Sequence, residues 1–199
     1  MIIEDKDFRN YALRLVDDGY IPIFGEFKDT LQEVVIECIW KAKALGKDPV
    51  TLLINSNGGF NLAFSAIKAV MIESGLTFHG LVLGKAFSNG FNILQQCSVR
   101  KAVRDAAFMF HWGSQSLNNA ELDALIAGEK WVVETIIERE MLTLVQVSER
   151  TGVPVKDLKK YAARERYFTA KQAKEIGFLD EIIPDLPKGV SDALSKKDS

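Results

Sequence analysis

The chain has 199 residues, 47% apolar and 26% charged, with 25 Lys+Arg against 27 Asp+Glu. That composition belongs to a folded globular domain rather than a disordered chain, and a net charge of −2 offers no basic excess for nucleic acid or an anionic membrane. Cys38 and Cys97 are too few for a disulfide framework and lack metal-ligand spacing. No apolar run reaches the ~20 residues of a membrane span, and the acidic start after Met1 is unlike a secretory leader. The expectation is a soluble cytoplasmic α/β chain with no metal and no cofactor.

Residues 20–27 read as a short strand, with Pro22 marking an edge or strand start. A helix follows, its face carrying Leu31, Val34, Val35, Cys38, Ile39, Ala42 and Leu45, with Gly46 as its stop. Val50–Asn55 is apolar almost throughout, as in a buried parallel strand, and Ser56-Asn57-Gly58-Gly59 is expected to break it. Phe60, Ala63, Phe64, Ile67 and Met71 mark a second helix. Thr77–Leu83 is a third strand, running through Gly84–Gly90 into a short helix near 89–96. Arg100–Val103 and Ala106–Phe110 are two more strands, the latter ending at His111.

Asn118 or Asn119 can cap a long helix reaching about Arg150. So long a helix exceeds what one small core can cover, and part of it should project or meet a partner. Pro154 opens another helix, Thr169–Gln172 forms a capping box, and Gly177 stops the helix that follows. Phe178–Ile183 is the last strand. The organisation expected is an N-terminal segment 1–19, one α/β domain 20–183 and a loose tail 184–199. The element order predicts a mainly parallel sheet with right-handed crossovers.

Ser88 is the sharpest chemical feature. It lies between a strand and a helix, with small residues at Ala86 and Gly90, as at a nucleophile elbow; the bland alternative is a helix-capping serine. The helix N-terminus favours a developing negative charge there. His111, at a strand end before a polar loop, is a candidate base, whereas His79 inside a strand reads as structural. Gly58-Gly59 could present backbone N–H groups to an oxyanion, or simply make a tight connection. Lys85 raises a Ser–Lys dyad but reads as an exposed lysine. Glu73, Glu129 and Glu140 read as solvated helix faces.

In order, Ile54-Asn-Ser-Asn-Gly-Gly59, Gly84-Lys-Ala-Phe-Ser-Asn-Gly90, Met109-Phe-His111, Arg164-Glu-Arg-Tyr-Phe-Thr-Ala170 and Ala173-Lys-Glu-Ile-Gly-Phe-Leu-Asp180 resemble the proteolytic subunit of the ATP-dependent Clp protease, a serine peptidase. The resemblance covers roughly residues 20–183. It implies the Clp protease/crotonase-like superfold, with Ser88 as nucleophile, His111 as general base, and the N–H groups of Gly59 and Asn89 as oxyanion hole. It implies that the helix at 119–150 is a handle through which rings of seven stack into a chamber, where unfolded polypeptide is cleaved. It further implies an ATP-driven unfoldase as partner, since the chain has no P-loop of its own.

Three positions depart from the family pattern. Its Pro is Asn57, its small residue before the serine is Phe87, and its catalytic Asp is Glu165, with Asp105 a rival orienter of His111. The Glu165 change motivates a second reading, a non-catalytic ring subunit beside an active paralogue. A crotonase-type acyl-CoA enzyme is the third, disfavoured by a serine and a histidine at the matching positions.

Overall fold

The apolar run at 50–54 founds the core: Val50, Leu52, Leu53 and Ile54 are fully buried. At roughly 1.5–3 kcal/mol for each large side chain removed from water, this strand belongs at the sheet centre. In the computed structural model, which describes residues 5–113 and 116–195, it is β2 (Val50–Gly59), flanked in parallel by β1 (Tyr20–Phe27) and β3 (Phe78–Phe87). The described residues divide into two compact units, with boundaries after Met109 and after Arg166.

The first unit is α/β, as its element order predicts. Helices α1 (Asp5–Asp17), α2 (Asp29–Ala44) and α3 (Asn61–Ser74) pack in series, α2 meeting both of the others and β1. The sheet continues from β3 to β4 (Val99–Val103) and β7 (Glu181–Ile183), again in parallel. β3 forks. Its residues 79–82 pair with β4, and beyond Gly84 its residues 85–87 pair in parallel with β5 (Ala107–Phe110), which in turn pairs with β6 (Arg166–Thr169). Past the fork, β3 leads directly into α4 (Asn89–Gln95), a helix packed on β2 and β3.

Several expectations are corrected here. Ser56–Gly59 does not break β2; the strand runs on with a register shift, held by tertiary contact rather than local propensity. A Cβ on Gly59 would lie 2.6 Å from both the N and the O of Phe27, so only glycine allows the two strands to approach this closely. Residues 5–17, given no element in the sequence, form α1, which buries Ala12, Leu15 and Val16. The expected strand 178–183 is ordered as β7 only from Glu181. The polar stretch after 184 contains a helix, α9 (Lys188–Ser195). Its Val190 and Leu194 pack on a cluster of Leu53, Leu81 and Ile183.

α8 (Ala170–Ile176) stops at Gly177, and Arg100 of β4 is almost fully buried. Its guanidinium donates to Asp180 through Nε and Nη2 and to Gln95 Oε1 through Nη1 at 2.7 Å. Paired and hydrogen-bonded, the charge is tolerable in the interior. Cys38 and Cys97 are buried thiols outside any disulfide, and burial pushes the Cys38 thiol up to about 12.

The second unit is helical: α5 (Asn119–Ile126), α6 (Trp131–Thr151) and α7 (Val155–Ala162). Asn118 starts α5 with a complete capping box, its side chain accepting from the Glu121 N–H and the Glu121 carboxylate accepting in return. The expected single helix over 119–150 is divided. Gly128 takes φ +81°, its N–H donates to Leu125 O, and the Glu129 N–H donates to Ala124 O, a closed Schellman stop. Apolar periodicity runs through this stop, which is why the sequence reads as one helix. Val132, Leu144 and Val147 of α6 are buried, whereas Val133, Ile137, Leu142 and Val145 are exposed. Among the described residues no helix is long and apolar enough to cross a membrane.

Candidate active site

The strand-to-helix junction holds Ser88 at φ +52° and ψ −120°. Only two non-glycine residues described, Ser88 and Glu165, have positive φ. Such a conformation costs on the order of 1–3 kcal/mol and persists where surrounding structure imposes it. Here the surroundings are backbone. The Ser88 N–H donates to Met109 O at 3.0 Å, and the Ser88 carbonyl accepts from the N–H groups of Phe91 and Asn92. The Ser88 hydroxyl makes no capping bond to α4, so the helix-cap reading does not account for it.

Gly58 and Gly59 lie against this elbow. A Cβ on Gly58 would stand 2.6 Å from Ser88 Cβ, 2.8 Å from Phe87 O and 2.9 Å from Asn89 N. The two glycines take φ +91° and +139°. The buried Ser56 hydroxyl donates to Gly25 O at 2.6 Å and accepts from the Gly58 N–H at 3.0 Å. This pin holds the segment where Asn57 stands in place of the family's proline. The Asn89 side chain donates to Gly59 O at 2.8 Å and to Asn61 Oδ1 at 2.9 Å. Phe87, the enlarged residue before the serine, packs edge-on against Tyr167 with ring centres 5.3 Å apart.

In the second unit, His111 Nδ1 lies 3.6 Å from Glu165 Oε1, His111 being mostly buried and the Glu165 side chain 70% exposed. The separation suits an ion pair and exceeds a hydrogen bond, which needs roughly 2.7–3.2 Å. Glu165 stands at φ +45° just after α7, its N–H directed at Ala162 O. The rival Asp105 is exposed in the turn between β4 and β5. His79 lies within β3, paired with Thr51 and Val99, and Lys85 is a half-buried strand residue.

A groove of about 370 Å³, starting at the residue after His111, was not foreseen from the sequence. It is lined by Trp112, Gly113, Ile136, Ile137, Glu140, Met141 and Lys159. Glu140, read from sequence as a solvated helix face, accepts from the Gly113 N–H at 3.2 Å. The signal available in sequence was its position inside the apolar stripe. Among the described residues no group of His, Cys, Asp and Glu is placed to hold a metal ion.

Structure thus gathers Gly59, Ser88 and Asn89 in one unit, and His111 with Glu165 in the other. The family model described as Clp protease matches residues 4–185. ATP-dependent Clp protease proteolytic subunit 2 of Thermobifida fusca is 32% identical over 69% of this chain and 66% of its own length. Subunit 1 of Corynebacterium jeikeium is 34% identical over 67% of this chain and 70% of its own. Subunit 1 of Mycobacterium bovis is 32% identical over 85% of this chain and 84% of its own. The chain belongs to the Clp protease family of serine-type peptidases.

Proposed function

We propose that this protein cleaves unfolded polypeptide by acyl transfer through Ser88. The observation that carries the reading is the strained Ser88, whose hydroxyl does not cap α4 and whose N–H is tied to Met109, two residues before His111. Glu165 faces Nδ1 of His111, which leaves Nε2 as the base. His111 takes the proton from Ser88 Oγ as the oxygen adds to the peptide carbonyl, then delivers it to the departing amine. The N–H groups of Gly59 and Asn89 hold the oxyanion, and water hydrolyses the acyl-enzyme with the same base. The groove beside His111, walled by Ile136, Ile137 and Met141, suits an apolar substrate side chain.

Fluorophosphonate treatment should add one adduct to the intact protein, absent from Ser88→Ala. An oligomeric preparation that takes no label would favour the second reading, a structural ring subunit beside an active paralogue. The 3.6 Å gap between His111 and Glu165 is the observation that keeps that reading in view.

We also propose assembly into stacked rings, seven-membered as the resemblance implies, with an ATP-dependent unfoldase supplying extended chains in the cytoplasm. The several large apolar side chains left exposed on α6 support it, since exposed apolar surface marks interfaces. Light scattering should give a mass several times 22.2 kDa, and Val133→Asp combined with Val145→Asp should lower it. A wild-type monomer at micromolar concentration would defeat the assembly.

A further inference from the structure

We infer that the Asn89 side chain is a positioning residue for the oxyanion hole, tying its two donor segments into one rigid unit. The inference rests on the serine-peptidase reading, in which the N–H groups of Gly59 and Asn89 receive the developing charge. Two successive glycines are the softest backbone a chain can offer, and both of these stand at φ values closed to other residues. A donor N–H carried between them keeps its direction only if the peptide planes on either side are fixed.

Both planes are fixed. On the near side the Gly58 N–H donates to the Ser56 hydroxyl at 3.0 Å. On the far side the Phe60 N–H donates to Phe27 O at 2.8 Å, and the Gly59 carbonyl of the same peptide accepts from Asn89 Nδ2 at 2.8 Å. The second hydrogen of that amide goes to Asn61 Oδ1 at 2.9 Å, and its oxygen accepts from Asn92 Nδ2 at 3.0 Å. Asn89 is 2% exposed, so these bonds form in a low-dielectric setting where they are strong and where a lost partner is costly.

One residue therefore acts twice. Its backbone N–H is one proposed oxyanion donor. Its side-chain amide holds the carbonyl next to the other and sets the spacing between the two. A displacement of about 1 Å in such a constellation can cost on the order of 10² in rate.

The test compares wild type with Asn89→Leu, which keeps the backbone N–H and nearly the same volume but donates nothing to Gly59 O. Asn61→Ala is the milder companion: it removes one acceptor of the amide and leaves the bond to Gly59 O. The probes are a peptide substrate, the matching peptide aldehyde and the matching peptide amide. The aldehyde forms a hemiacetal with Ser88 whose oxygen occupies the hole; the amide is a ground-state ligand. Asn89→Leu should lower kcat by about 10–100-fold with KM within twofold. Aldehyde affinity should weaken in the same proportion and amide affinity should hold. Asn61→Ala should show the same pattern at a few-fold, and it carries the test if Asn89→Leu does not fold. Unchanged kcat and aldehyde affinity in a folded variant, or equal losses for aldehyde and amide, would overturn the positioning role while leaving the peptidase reading intact. A wild-type protein that neither turns over the peptide nor binds the aldehyde would overturn both.

Discussion

Glu165→Gln should lower kcat by about 10²–10³-fold, equivalent to roughly 3–4 kcal/mol of transition-state stabilisation, with little change in KM. The carboxylate faces Nδ1 of His111 from 3.6 Å; glutamine keeps the length of the arm and removes the charge. If Glu165 is the third member, an imidazole without that anion loses the counter-charge for the imidazolium formed as Ser88 attacks. Where the orienting acid is fully buried the loss reaches about 10⁴. A smaller effect is expected here because the Glu165 side chain is 70% exposed and solvent already screens the pair. Glu165→Asp restores the family residue but withdraws the carboxylate by one methylene from a gap already beyond hydrogen-bond length. It too should lose activity unless the backbone at φ +45° relaxes. Fold and assembly, followed by circular dichroism and light scattering, should stay as in wild type. Steady-state rates within twofold of wild type in both variants would remove Glu165 from the mechanism and leave a bare Ser–His pair or Asp105.

Gly58→Ala should destabilise the fold by about 2–5 kcal/mol and abolish measurable turnover. Two costs add. At φ +91° any L-residue is strained by about 1–2 kcal/mol. The new methyl would also stand 2.6 Å from Ser88 Cβ and within 3 Å of two backbone atoms of the elbow, an overpacking of about 1–3 kcal/mol with no flexible side-chain end to yield. Relief can come only by moving Ser88 or the glycine strand, and either motion misplaces the proposed nucleophile. Gly46→Ala is the control: its φ is +65° and nothing lies within 4 Å of its Cβ, so it feels the first cost alone. At about 2–4 °C per kcal/mol for a chain of this size, the melting temperatures should separate by several degrees. Equal melting temperatures for the two variants, with peptidase activity retained in Gly58→Ala, would show that the contact at the elbow is not tight.

Where a segment's own residues decide its conformation, the sequence was a sufficient guide. The α2 stripe ending at Gly46, the helix start at Asn118, the Thr169 capping box and the strand–helix turn at Ser88 are all local patterns, and all are observed. Long-range contact decided the rest. Gly58 and Gly59 read as a strand end because glycine weakens strands, yet β2 continues because Phe27 and the Ser88 elbow close upon them. The tail is polar enough to read as loose, but α9 forms where Val190 and Leu194 find the cluster around Leu53 and Leu81. The stop at Gly128 was legible and was outweighed by the apolar period on either side of it. The Asn89 amide could not be read at all, because its acceptors on Gly59 and Asn61 lie about thirty residues away in sequence.

The burial of both thiols has a practical meaning for experiments. Cys38 and Cys97 are packed in the core, and burial pushes the Cys38 thiol up to about 12, so access and, for Cys38, protonation both disfavour attack on an electrophile. The native protein is therefore expected to react slowly with maleimides. A single cysteine introduced on an exposed position such as Ile126 or Leu62 would carry a fluorophore or spin label with little background. The proposed assembly could then be tested by distance measurements on a chain whose own two cysteines need not be replaced.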